Sequence, residues 1–187
     1  SPIKNPSEIL GGLTERVANR LGLSAGIPVL VGAGDYPTAL LGSGACEAGL
    51  GSDVTGTSTI MTIIHDNPVM HPNVSNLLEP SGNWGSFTLL DAGGDAIRWA
   101  RRAFHENQRS YDEVDKAAIQ AAAGSSSLFF LPYLNGERFS NAPNSRAQFF
   151  GLTSGHGSAE LHRSILEGVA FSVRLRLDAL QGSAGRP

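Results

Sequence analysis

The hydrophobic pattern divides the chain into short apolar runs and longer amphipathic segments. Apolar, β-branched runs bounded by glycine, asparagine or proline are typical of strands, and they occur at 28–31, 48–64, 83–91 and 128–134. Segments whose apolar residues recur every three or four positions are typical of helices, and they cover 14–21, 95–104, 110–123 and 158–180. Strands and helices therefore alternate along most of the chain, as they do in an α/β protein.

The longest predicted helix, 158–180, has an apolar and a charged side. Its apolar residues recur every fourth position and are predicted to face the core: Leu161, Ile165, Val169, Val173 and Leu177. Its charged residues are predicted to face solvent: Glu160, Arg163, Glu167, Arg174 and Asp178. Gly182 is predicted to end the helix, and the polar tail after it to lack structure.

The apolar run at 28–31 ends at two glycines and leads to a carboxylate, Asp35. The run predicts a buried strand, and Gly32 and Gly34 allow a tight turn and the close approach of a ligand. Asp35 then stands where a helix N-cap is expected, and residue types alone favour that capping role. A carboxylate at the end of a strand also has the position of a general base, because open α/β sheets bind ligands in the crevice there.

The glycine-rich stretch 48–64 predicts a hairpin whose turn is Gly56-Thr57-Ser58. Consecutive backbone N–H groups and small hydroxyl side chains form anion-binding concavities, so this turn has the chemistry of a phosphate site. A plain hairpin turn explains the same residues equally well. A dinucleotide-binding fingerprint is excluded, because it needs a glycine where Pro37 stands, and the sequence has no Gly-Lys-Ser/Thr phosphate loop.

Length and charge narrow the class of protein. A chain of 187 residues with 41% hydrophobic residues predicts one globular domain with a sizeable core. The formal net charge is −3, and basic residues cluster only at Arg98, Arg101 and Arg102, which we interpret as a solvated helix face. These features argue against a nucleic-acid surface. No apolar run has the length of a membrane span, so no membrane association is expected.

Cysteine and histidine usage excludes further kinds of site. The single cysteine, Cys46, cannot form an internal disulfide and is interpreted as a small buried residue, which favours a reducing cytosol. His65 and His71 lack metal-ligand spacing and a third partner, so both are predicted to be loop residues. The sequence therefore predicts no protein-held metal site.

Several stretches together resemble one family in their order and spacing. They are VGAGD at 31–35, GTS at 56–58, AGGDAIRW at 92–99, FLPYLNGER at 130–138 and AQFFGLTSGHGSAELHRSILEG at 147–168. The last stretch is the most specific, with Gly-Leu, a seven-residue spacer, Glu160-Leu161 and then Ser-Ile-Leu-Glu. The chain resembles the carboxy-terminal domain of FGGY carbohydrate kinases, with xylulokinase-type members nearest.

The resemblance implies an α/β fold of the actin-like ATPase, ribonuclease H-like type, with a mixed sheet flanked by helices and incomplete at both ends. It implies that residues 1–26 are the end of an amino-terminal domain and linker. Residues 27–182 would form the truncated carboxy-terminal ATPase-type domain, followed by a tail at 183–187. Most of the sugar pocket and the adenine-binding segment would then lie outside this chain, so the 187 residues alone are expected to be inactive.

The resemblance also implies an activity and its residues. The activity is ATP-dependent phosphorylation of a sugar or polyol hydroxyl, with a xylulose-type ketose favoured. Asp35 matches the general base, and Gly34, Gly56, Thr57, Ser58 and Gly94 match residues that approach the nucleotide. ATP and Mg²⁺ are the implied cofactors, and Mg²⁺ needs only one or two carboxylates from the protein. The alternatives are another substrate, such as glycerol, gluconate or ribulose, and a non-catalytic nucleotide-binding or interaction module of the same superfamily.

Partners and location follow from the same resemblance. A small-molecule sugar or polyol is the expected partner, with no nucleic acid and no membrane. The cytoplasm is the expected location. Because apolar surface that faces the absent parts would be exposed, self-association is expected, in the simplest case as a homodimer.

Overall fold

The computed structural model describes residues 3–105, 107–138 and 143–182. Its strands are β1 (Ile9–Gly12), β2 (Pro28–Leu30), β3 (Gly51–Thr55), β4 (Thr59–His65), β5 (Ser75–Leu78), β6 (Trp84–Leu90), β7 (Phe129–Leu131) and β8 (Gln148–Phe150). Its α-helices are α1 (Glu15–Leu21), α2 (Asp35–Gly42), α3 (Gly93–His105), α4 (Tyr111–Gln120) and α5 (Ser158–Leu180). A short 3₁₀ helix covers Ser125–Ser127.

The strands form three sheets. The central sheet has four strands in the order β3-β4-β6-β5, and β1-β2 and β7-β8 are separate pairs. Every pairing in these three sheets is antiparallel. The predicted α/β class is confirmed, but within the described residues these sheets are not mixed. The reason is the short connections of the central sheet, since parallel neighbours need a crossover of a dozen or more residues.

Two apolar clusters fix the helices to the sheets. In the first, Ala96 and Ala100 of α3 pack against Phe130 of β7 and Ile165 of α5. In the second, Leu40 of α2 packs against Ile64 of β4. The first cluster therefore joins α3, β7 and α5 into one body, and the second attaches α2 to the central sheet.

The helix α5 has the predicted bounds but not the predicted buried face. Its buried residues are His162, Ser164, Ile165, Gly168, Ser172, Arg176, Ala179 and Leu180. The face of α5 that meets the core carries small and polar residues, because the helix lies very close to β7. A Cβ at Gly168 would overlap the Phe130 carbonyl oxygen. As a result Phe171 and Leu175 are largely exposed.

Three other local predictions need correction. The strand β2 forms, but it is exposed along its whole length, because its partner in the described structure is the equally exposed β1. The connection after His65 contains a strand, β5, and His65 itself lies in β4. Cys46 is half-buried instead of buried. The predicted tail lies outside the described residues.

The pair β1-β2 spans the predicted domain boundary at residue 26. Backbone hydrogen bonds also join Leu13 to Ile27 and Gly26 to Leu13. No helix in the described part of the chain combines the length and apolar composition needed to cross a bilayer.

Candidate functional site

The predicted hairpin is present, and its turn is the three residues Gly56, Thr57 and Ser58 between β3 and β4. Thr55 and Thr59 face each other where the strands meet the turn. The Gly56 N–H donates to the Ser58 carbonyl oxygen at 2.8 Å. Within the described residues, the N–H groups of Thr57 and Ser58 have no hydrogen-bond partner in the protein. The turn therefore offers two backbone donors, not three.

The beginning of α3 is packed directly onto this turn. A Cβ at Gly94 would overlap the Gly56 carbonyl oxygen, and a Cβ at Gly93 would overlap the Thr59 hydroxyl. The Asp95 N–H donates to the Thr57 carbonyl oxygen at 3.0 Å. The two predicted segments that contain Gly56 and Gly94 are thus brought into contact, and the positive end of the α3 dipole lies beside the turn.

Arg98 adds a cation that sequence reasoning assigned to a solvated helix face. One of its guanidinium nitrogens lies 3.5 Å from the Thr57 hydroxyl oxygen and 3.5 Å from a carboxylate oxygen of Asp95. Arg98 is half exposed, so its charge can reach a ligand at the turn. The signal that could have located it is its spacing, because a residue four positions after Gly94 lies one helical turn further along the same face.

An open pocket of about 370 Å³ begins at this contact. It extends from the turn between α3, α4 and α5, and its lining residues are Gly56, Gly94, Ile97, Arg98, Tyr111, Asp115 and Leu166. The guanidinium of Arg101 lies 4.6 Å from the centre of the Tyr111 ring, outside this lining. The pocket therefore has a polar end at the turn and, beyond it, an aromatic and aliphatic wall that also carries the carboxylate of Asp115.

Asp35 stands at the first residue of α2, not at the predicted N-cap. The N-cap is Gly34, and the carboxylate of Asp35 accepts a hydrogen bond from the Tyr36 N–H at 2.7 Å. Because this donor is the adjacent residue, Asp35 does not cap the N–H groups further along the helix. Its side chain is exposed.

The strand β4 connects Asp35 to the turn. The Tyr36 hydroxyl lies 2.5 Å from the hydroxyl of Thr62, which is buried in β4. The pKa of the Tyr36 hydroxyl is raised, mainly because the ring is buried and to a lesser extent because Asp53 is negatively charged. The hydrogen bond to Thr62 offsets part of this increase. No hydrogen bond joins Asp35 to residues 56–58 among the described residues. The turn leads directly into β4, and Tyr36 attaches the start of α2 to the same strand.

The two glycines before Asp35 differ in what they require. Gly32 has a φ of +76°, which favours glycine. Gly34 has an ordinary φ of −61°, and a Cβ there would lie 3.6 Å from Pro37, an ordinary van der Waals distance. The backbone fold alone gives no reason for a glycine at position 34.

No group of three or more His, Cys, Asp or Glu residues that could hold a metal ion occurs in the described ranges. A Mg²⁺ ion that keeps most of its waters needs fewer carboxylates, and the exposed carboxylate of Asp35 meets that lower requirement.

Comparison with known proteins identifies the family of this site. Residues 52–187 match the model of the C-terminal domain of the FGGY family of carbohydrate kinases. The chain belongs to the FGGY family of carbohydrate kinases. Gly56, Thr57, Ser58 and Gly94 lie inside the matched range, whereas Gly34 and Asp35 precede it.

Individual relatives extend the match to almost the whole chain. The xylulose kinase of Escherichia coli is 30% identical over 185 residues, which cover 97% of this chain and 38% of that protein. The gluconokinase of Bacillus subtilis is 29% identical over 179 residues, or 89% of this chain and 35% of that protein. The chain therefore spans well under half of the length of these relatives.

Solved structures confirm the fold. The crystal structure of xylulose kinase from Rhodospirillum rubrum has a TM-score of 0.89 at 26% identity, covering 98% of this chain and 38% of that one. The glycerol kinase of Plasmodium falciparum, at 18% identity and a TM-score of 0.79, shows likeness of fold alone. The α/β fold of the actin-like ATPase type, predicted from sequence, is confirmed.

Proposed function

We propose that the chain is the carboxy-terminal part of an ATP-dependent kinase that phosphorylates a hydroxyl of a sugar or polyol. The observation that carries the proposal is the family match over residues 52–187. A xylulose-type ketose is the favoured substrate, because the E. coli relative at 30% identity is a xylulose kinase. Residues 1–26 are then the end of a preceding domain and its linker, and 27–182 belong to the ATPase-type domain.

In this proposal Asp35 is the general base. Its carboxylate takes the proton of the substrate hydroxyl while that oxygen attacks the γ-phosphorus of ATP. A new phosphorus–oxygen bond forms, the bond to the β-phosphate oxygen breaks, and ADP leaves. Exposure of Asp35 at the start of α2 supports this role, since a base needs direct access to the proton that it removes.

The turn and α3 hold the phosphates in the same proposal. The N–H groups of Thr57 and Ser58 donate to phosphate oxygens, Gly94 and Gly34 let the nucleotide approach the backbone, and Arg98 supplies a positive charge. Mg²⁺ bound with ATP would neutralise phosphate charge, and Asp35 would supply the carboxylate that such an ion needs from the protein. Beyond the turn the pocket offers the side chains of Ile97, Tyr111 and Leu166, beside the carboxylate of Asp115, as a wall for the nucleoside.

Other FGGY substrates form the first alternative. The B. subtilis gluconokinase is 29% identical to the chain, nearly as similar as the xylulose kinase of E. coli. The second alternative is a non-catalytic module that binds nucleotide through the same turn. We further propose that the 187 residues alone are inactive, that the complete protein works in the cytoplasm, and that it forms a homodimer.

A substrate panel tests the proposal directly. The complete protein that carries this chain is supplied with Mg-ATP and, in turn, with xylulose, ribulose, gluconate and glycerol, and ADP release is measured against a control without sugar. Sugar-dependent ADP release highest with xylulose supports the favoured substrate, and a maximum with another member supports the first alternative. Nucleotide binding by calorimetry without turnover of any member would contradict the kinase proposal in favour of the second.

A further inference from the structure

Two consecutive residues of the segment after β7, Glu137 and Arg138, form ion pairs that join this segment to the carboxyl end of β6. Glu137 is fully buried and pairs with Arg176 of α5, with 2.5 Å between the charged atoms. Arg176 also donates through Nε to the carbonyl oxygen of Leu89 at 2.9 Å. Glu137 is therefore held against β6 from inside the core.

Arg138 binds the carboxylate of Asp91, the residue that directly follows β6. Its backbone N–H donates to Oδ2 of Asp91 at 3.0 Å, and its Nε donates to Oδ1 at 2.7 Å. Its Nη2 lies 2.6 Å from the same Oδ1. Partial burial would raise the pKa of the Asp91 carboxyl, but the hydrogen bonds and charge of Arg138 outweigh it and hold that pKa below its usual value.

The pair of Asp91 and Arg138 is not explained by global stability. The Arg138 side chain is 70% exposed, and exposed ion pairs contribute little to the free energy of unfolding. Its three contacts nevertheless fix both oxygens of one carboxylate in a single orientation, which is a positional constraint. The comparison is the pair of Arg174 and Asp178, which lies within α5 itself, with an arginine side chain 72% exposed and 2.8 Å from the carboxylate.

Asp91 is separated from the phosphate turn by very little chain. Ala92 follows it, and then come Gly93 and Gly94, whose missing side chains let α3 lie against Thr59 and Gly56. The next residue, Asp95, donates its N–H to the Thr57 carbonyl oxygen. A shift of Asp91 would therefore move the start of α3. The turn would move with it, because the backbones of α3 and the turn are already in close contact.

We infer that Arg138 is a positioning residue for the phosphate turn. By fixing Asp91, it fixes the first residues of α3 against Gly56 and Thr57, and so sets where the turn's donors and Arg98 stand relative to the nucleotide. The mechanical part of this inference rests on the contacts alone. Its consequence for nucleotide affinity rests on the proposed kinase function.

Amide hydrogen exchange tests the mechanical part without any assay of activity. In the complete protein, Arg138→Gln is expected to speed exchange in residues 52–58 and 93–98 by about tenfold, because the local opening of both segments becomes easier. The carboxyl half of α5 is expected to be unchanged. The matched variant Arg174→Gln removes an arginine of similar exposure and should leave both segments as in the wild type. Equal exchange in Arg138→Gln and the wild type would overturn the inference.

Steady-state kinetics test the functional part. Arg138→Gln is expected to raise the KM for ATP about tenfold while the KM for the sugar stays within about twofold, because the phosphate donors are misplaced and the sugar contacts are not. Asp91→Asn should give the same pattern, and the double variant should be no worse than either single one. A raised sugar KM with an unchanged ATP KM would overturn the inference. A wild type without turnover would contradict the proposed function, and exchange would then decide the coupling by itself.

Discussion

The two parts of the candidate site are held in place by different means. The turn at 56–58 is locked to α3 by backbone contacts, with Gly94 against Gly56 and Asp95 bonded to Thr57. The helix that begins at Asp35 meets the central sheet through side chains, chiefly Tyr36 on Thr62 and Phe87 and Leu40 on Ile64. The strand β2, which leads to it, is exposed along its whole length.

The difference shows which part of the site this chain preorganises. Backbone-to-backbone contacts leave no rotamer freedom, so the phosphate side is rigid before any ligand arrives. The Asp35 side has fewer constraints, and its geometry can change more for the same energy. In the proposed kinase, the more constrained side would hold the phosphates and the less constrained side would carry the base.

The largest expected effect is on the rigid side. Gly94→Ala places a Cβ on the Gly56 carbonyl oxygen, and because both partners are backbone, neither can move aside. We expect a loss of about 3 kcal/mol in the free energy of unfolding, measured by urea titration with Trp84 and Trp99 as fluorescent probes. Gly56→Ala is the control, since open space surrounds that position, and its loss should stay under about 1 kcal/mol. Equal losses in the two variants would refute the contact.

A pH-dependent loss of stability is expected from His162, which joins α5 to α3. Its ring is buried, stacks on His105 with 5.3 Å between ring centres, and has no hydrogen-bond partner for either nitrogen among the described residues. Burial, with a smaller contribution from the charge of His105, lowers the pKa of His162 to about 4. Above a pH of about 6.5 the ring is neutral in both states and contributes nothing. As the pH falls below that value, the unfolded chain takes up the proton first.

The free energy of unfolding should therefore fall by about 2 kcal/mol between pH 7 and pH 5 through this residue. His162→Phe should remove that part of the slope in urea titrations. His71→Phe, in the loop before β5, should keep it. A slope in His162→Phe as steep as in the wild type would show that other groups cause it.

A smaller effect is expected where the Asp35 segment meets the sheet. Tyr36→Phe removes the hydroxyl that meets Thr62, and leaves the buried Thr62 hydroxyl without this partner. We expect a loss of about 1 kcal/mol in urea titrations. Tyr111→Phe, on a ring 45% exposed, is the comparison and should change little. No difference between the two would mean that Tyr36 does not hold α2.

The smallest effect on folding is expected at Gly34. Its φ and the space around it both accept alanine, so Gly34→Ala should change the free energy of unfolding by less than about 1 kcal/mol. If the glycine serves the approach of the nucleotide, the KM for ATP should rise all the same. Unchanged stability with an unchanged KM would remove Gly34 from the proposed site.

Local signals in the sequence predicted the elements that depend on local interactions. The helix predicted at 110–123 is present as α4, where Ser110 and Glu113 form a capping box with both of its hydrogen bonds. The helix α5 runs from Ser158 to Leu180 as its periodicity predicts. The hairpin around 56–58 follows from apolar runs on either side of a glycine turn. These features need only residues that are near each other in the chain.

Features that depend on distant contacts could not be predicted in the same way. Arg176 is buried because its partners Leu89 and Glu137 lie far away in sequence, so its charge alone wrongly indicates a solvent-facing position. The contact of Gly94 with Gly56 likewise appears only after folding. Individual site residues came from the family resemblance, since residue types alone favour a helix cap over a base for Asp35.

The most direct test of the central claim is the rate of ATP-dependent sugar phosphorylation in the Asp35→Asn variant of the complete protein. The amide keeps the size of the side chain but cannot take the proton, so kcat should fall by about a thousandfold with the KM for ATP little changed. Asp66→Asn, an exposed carboxylate just beyond the far end of β4, should keep wild-type kcat. Wild-type phosphorylation by Asp35→Asn would contradict the assignment of Asp35 as the base.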